Sequence, residues 1–125
     1  MRYPSGNLIV DKTFEFSVDI LNFADVLTSE RRYNIANQLA RSGTSIGANV
    51  REAQHAESAA DFIHKLKIAA KEAEETMYWL ELCSIAPHYP KNEDLISRLA
   101  DIQHILSSII NKTKQKLKNL GSPQI

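Results

Sequence analysis

The chain has few residues that interrupt helices: four glycines and four prolines in 125 positions. All except Gly43 and Gly47 lie between or outside long periodic segments. A single cysteine, Cys83, excludes an intrachain disulfide and suits a reducing compartment. No run approaches the ~18 apolar residues of a membrane span, and the opening MRYPSGNLIV lacks the apolar core of a signal peptide. Net charge is missing too, since fifteen basic residues balance fifteen acidic ones. The molecule as a whole therefore exerts no pull on nucleic acid or membrane, and any such binding must come from local segregation of charge. Strand alternation and internal repeats are also absent. The expectation is a soluble cytoplasmic domain with no membrane partner.

What is present is a 3-4 apolar rhythm in a chain of 43% hydrophobic content. The first periodic segment covers about residues 7–28, with Phe16, Ile20, Phe23 and Leu27 on one face and Phe14, Val18 and Leu21 on a flanking one. Asp11, Glu15, Asp19 and Asp25 leave the remaining face acidic. The flanking apolar residues imply cover on two sides.

A second helix is expected over 30–55, capped by Ser29, with Ile35, Leu39, Ile46, Val50 and Ala53 on its seam. The third covers 59–84, opened by Ser58 and Asp61 in a near capping box, with Phe62, Leu66, Ala69, Ala73, Met77 and Leu80 inside. Pro87 and Pro90 force a loop. The fourth covers 93–119, capped by Asn92, with Leu95, Leu99, Ile102, Leu106, Ile109, Thr113 and Leu120 on its seam. Gly121 and Pro123 end it. Four such helices with short connections predict an all-α, antiparallel up-and-down four-helix bundle. It forms one domain over 1–125, with short flexible ends at 1–6 and 121–125. Long helices with few breaks make an elongated body that leaves apolar surface for a neighbour to cover.

Catalytic constellations are hard to find. Glu52-Ala-Gln-His55 fits the Glu-x-x-His spacing of dimetal bundles, and Asp101-Ile-Gln-His104 is a weaker echo. A dimetal site needs two further inward carboxylates, and Glu15 and Asp19 read as solvent-facing. Cys83 has Glu81 and His88 nearby in sequence, but a lone thiol among apolar residues is usually packing. Tyr78 and Trp79 read as core or interface aromatics. Gly43 and Gly47 follow no strand and precede no Gly-Lys-Ser, so they are no phosphate loop. No catalytic residue, cofactor or metal is expected.

Charge is more informative. From Ile102 onward there is no Asp or Glu, while Lys112, Lys114, Lys116 and Lys118 crowd the end of helix four. Lysines there also complement the negative end of the helix dipole, a reading that needs no ligand. Arg31, Arg32, Arg41 and Arg51 form a second basic set around helix two. Both sets are candidate RNA or DNA contacts, the alternative being ordinary solvated surface.

Helix two carries the most unusual stretch, RSGTSIGANVREA. Ser42, Ser45, Asn49 and Glu52 follow a 3-4-3 spacing beside the seam, and Gly43 and Gly47 remove bulk from adjacent turns. A solvated face would be richer in Lys, Glu and Gln, and each glycine costs about 1 kcal/mol against alanine. The stretch therefore reads as a close helix contact, within the bundle or between subunits.

The segments QLARSGTSIGANVREA and DFIHKLKIAAKEAEETMYWLEL resemble the bacterial four-helix-bundle family encoded in intervening sequences of large-subunit ribosomal RNA genes. Gln38, Leu39, Arg41, Ser45, Ile46, Asn49 and Glu52 match its signature, with Val50 in place of Ile. Gly47 stands where many members have Pro, and Ala53 where many have Gly. NLIVDKTFEF is similar to the opening helix, so the resemblance covers about residues 7–119. It implies a ring-like homo-oligomer, commonly a pentamer, with no catalytic residues to carry over. A related bundle, the accessory variability determinant of diversity-generating retroelements, binds reverse transcriptase and nucleic acid through a strongly basic surface. The zero net charge here departs from that relative. The expected function is a non-enzymatic scaffold or accessory subunit for a protein or ribonucleoprotein partner, the alternative being direct nucleic-acid binding.

Overall fold

A computed structural model describes residues 3–121. Four helices follow one another, α1 (Leu8–Ser29), α2 (Tyr33–Ala53), α3 (Ala59–Ile85) and α4 (Glu93–Gly121). Each packs on its neighbours in sequence, and α1 closes the bundle against α4. Cross-helix contacts fix the antiparallel sense. Asn7 at the start of α1 donates to Gln54 just past α2, and Gln103 of α4 donates to Glu74 of α3.

Local chemistry sets most of the boundaries. Asn7, Ser58 and Asn92 accept from the backbone N–H groups of Val10, Asp61 and Leu95, capping α1, α3 and α4. The Asp61 carboxylate in turn accepts from the Glu57 N–H rather than from that of Ser58. Helix α2 differs from expectation. Ser29 does not cap it; Ser29 is the last residue of α1, and its hydroxyl donates to the Val26 carbonyl. The chain reverses through 30–32, with Arg31 at φ 64° and the Arg32 N–H closing on the Leu27 carbonyl at 2.8 Å. Residues 30–32 are thereby taken out of α2, which starts at Tyr33 with no capping side chain.

The core contains the expected α1 and α2 seams, from Phe16, Ile20, Phe23 and Leu27 to Leu39, Ile46, Val50 and Ala53. Helix α3 is rotated from expectation: Ile63, Thr76 and Cys83 are buried, while Phe62 and Met77 are only partly so. On α4, Ile110 is buried and Ile109 partly buried, but Leu120 is 85% exposed. At 29 residues against 22, α4 outruns α1, whose first residues Leu8 and Ile9 line one cleft with Ile105, Ile109 and Lys112. Past that point α4 has no α1 to cover it.

The acidic face of α1 is also narrower than expected, because Asp19 leans onto α4 and pairs with Arg98 at 2.7 Å. Within the expected flexible end at 1–6, Tyr3 stacks on Phe14 and donates to Glu15, while Ser5 bonds to Asp11. Residues 1, 2 and 122–125 of the two ends, with Pro123, lie outside the described residues.

Candidate functional site

The small residues of α2 divide between two partners. A Cβ added to Gly43 would lie 2.7 Å from Ile20 Cγ2, and one added to Gly47 would lie 3.1 Å from the Thr13 carbonyl oxygen. Both glycines therefore admit α1. Ser42 turns the other way, with its buried hydroxyl 2.9 Å from that of Thr76 on α3. Thr76 also reaches the Glu72 carbonyl at 2.7 Å, so the pair is satisfied in the core.

The rest of the expected polar stripe is mostly local. Ser45 donates to the Arg41 carbonyl and Asn49 to the Ser45 carbonyl, each one turn back, because a short side chain in a helix finds that acceptor first. Glu52 does cross to α3, pairing with Lys65 at 3.3 Å. Leu39 and Ile46 are buried, and Gln38 is exposed.

The structure does not bring the candidate nucleic-acid contacts together. Arg31 and Arg32 lie at the α1–α2 turn. Arg51 and Lys112, Lys114, Lys116 and Lys118 lie toward the opposite end, and Arg41 falls between. Arg41 is engaged by Glu72 at 3.2 Å and by Glu75, and the bond to Glu75 is the main reason its pKa is raised. Glu75 also accepts from the Trp79 indole at 3.2 Å, and that bond, followed by Arg41, lowers its pKa. Arg51 stands 5.4 Å from the centroid of the Phe14 ring. Lys114 behaves differently: the adjacent Lys67 ammonium pushes its pKa down, so α3 contributes a cation to the lysine cluster.

Cys83 is buried, and burial raises its thiol pKa, which opposes nucleophilic use. Glu52 is occupied by Lys65, and His55 is exposed. Among the described residues no three His, Cys, Asp or Glu side chains gather in a metal-holding group. Among the described residues no helix is long and apolar enough to cross a membrane.

Sequence reasoning missed the open start of α2. There Arg32 lies over the Tyr89 ring, 4.0 Å from its centroid, beside a cavity of about 380 Å³. The available signal was Arg31-Arg32-Tyr33-Asn34, which offers no Ser, Thr or Asp cap next to the helix.

No curated protein matches the chain. Among solved structures, it is similar to a protein of unknown function from the S23 ribosomal protein family of Bacteroides thetaiotaomicron VPI-5482. The two are 47% identical with a TM-score of 0.77, over 82% of this chain and 97% of that one. The pattern of the family described as 23S rRNA-intervening sequence protein matches residues 6–117. The chain belongs to the 23S rRNA-intervening sequence protein family.

Proposed function

We propose that the chain is a non-enzymatic cytoplasmic protein that assembles with copies of itself into a scaffold or accessory subunit for a protein or ribonucleoprotein partner. The observation that carries this reading is a pair of apolar faces left open by the fold. Val18 and Leu21 stand on the outside of α1, Leu21 being 49% exposed. Tyr78, Leu82 and Ile85 form a 4-3 row on α3, with Ile85 83% exposed. Helices α1 and α3 stand diagonally in the bundle, with no close backbone approach, so their outward faces lie on different sides of it. Two unlike patches suit head-to-tail contact, which closes into a ring when the rotation allows. Five subunits, and a protein partner such as a reverse transcriptase, are what the family resemblance implies. Light scattering at micromolar concentration tests the reading: the mass of several chains supports it, and the mass of one chain overturns it.

Direct RNA or DNA binding is a second reading, favoured by Lys67 beside Lys114 at the end of α4. Two adjacent ammonium groups are relieved by a phosphate, and ring symmetry would multiply the modest local charge. Replacing Lys112, Lys114, Lys116 and Lys118 with Gln should weaken binding and flatten its salt dependence. No binding by the wild-type protein at low salt would remove this reading.

A further inference from the structure

We propose that the cavity at the start of α2 binds a nucleotide phosphate, with the phosphate at the helix end and the base against the aromatic wall. The cavity lies between the α1–α2 turn, α3 and the α3–α4 loop, and its volume of about 380 Å³ falls within the range of small-ligand pockets. Three kinds of group converge on it.

Arg31 and Arg32 both line it, and the Arg32 guanidinium lies over the ring of Tyr89, another lining residue. The Arg32 Nε–H is buried without a hydrogen-bond partner, although the same guanidinium stacks on Tyr89 and reaches the His88 carbonyl at 3.5 Å. Asn34 and the first turn of a 21-residue helix form the second group. No side chain caps this turn and no acidic residue lies in it, so its N–H groups and positive dipole end are available to an anion. The third is aromatic: Tyr33, Trp79 and Tyr89 line the same space, with the Gln38 amide beside them.

Phosphate alone would need only the first two groups. Rings together with an amide are what a base requires, for stacking and for reading its edge. The acidic neighbour, Glu75, is already held by Arg41 and the Trp79 indole.

Trp79 is the only tryptophan, so its indole N–H gives a single reporter in a nitrogen–proton correlation spectrum. AMP should shift that signal saturably, and adenosine and inorganic phosphate should each bind at least tenfold more weakly. Asn34→Glu places a carboxylate in the first helical turn, where it suits the dipole and maintains or raises stability, yet it should weaken AMP binding at least tenfold. Arg31→Gly keeps a residue suited to positive φ and should weaken binding severalfold. A 5′-phosphorylated tetranucleotide that binds more tightly than AMP assigns the site to a strand terminus, and equal binding assigns it to free nucleotides.

The proposal is overturned if millimolar AMP leaves the indole signal unmoved, if adenosine or inorganic phosphate binds as well as AMP, or if Asn34→Glu retains full affinity. The site is built within one chain, so this titration remains decisive whatever mass the protein shows by light scattering.

Discussion

Helix α2 and its neighbours α1 and α3 place their unusual residues in opposite directions. On α2, glycines and a buried serine turn inward, where Ile20, Thr13 and Thr76 fill the space they leave. On α1 and α3, large apolar side chains turn outward and stand exposed among the described residues. The glycines and Ser42 of the signature stretch are therefore used inside the bundle, and the open apolar surface comes from residues outside it. A missing side chain marks a contact already made, whereas an exposed apolar one marks a contact still open.

The largest expected effect breaks the inward half. Gly43→Ala should destabilise the fold by about 1–3 kcal/mol in urea unfolding, despite alanine's better helix propensity. The added Cβ meets Ile20, which is fully buried and cannot give way. In the Gly43→Ala/Ile20→Ala double variant the two costs should sum to less than their separate values, by about 1 kcal/mol. Gly47→Ala should cost less than Gly43→Ala, because its nearest contacts begin at 3.1 Å.

Ser42→Ala comes next, at about 1 kcal/mol, from the lost hydroxyl pair with Thr76. Arg41→Gln should cost less still, an effect that fades at high salt, since half of that side chain is solvated. Replacing Lys112, Lys114 and Lys116 with Gln should leave the urea midpoint almost unmoved, sharpening the contrast between the inward residues of α2 and the overhanging end of α4. A large loss there would mean that the end of α4 is packed after all.

Much of the fold was legible because burial leaves a period. The 4-3-4 spacing from Phe16 to Leu27 and the Leu39–Ile46–Val50 seam match the buried residues directly. The phase of α3 was harder to read, since Thr76 sits inside with the Ser42 hydroxyl of α2 as its partner, a contact that only the fold supplies. Ser29 followed by Glu30 looks like a helix start, yet the Arg32 N–H closing on the Leu27 carbonyl ends α1 there instead. A close helix contact could be read from Gly43 and Gly47, but which helix made it depended on topology. The basic residues could be listed from sequence, but their separation toward opposite ends follows from helix direction.

Light scattering of the wild type beside Leu21→Glu and Ile85→Glu tests the division between consumed and open surfaces most directly. The wild type should scatter as several chains, and each variant as fewer, with helical circular dichroism unchanged. A wild type that scatters as one chain at micromolar concentration, or variants that assemble as it does, would contradict the assignment of these faces to a second copy.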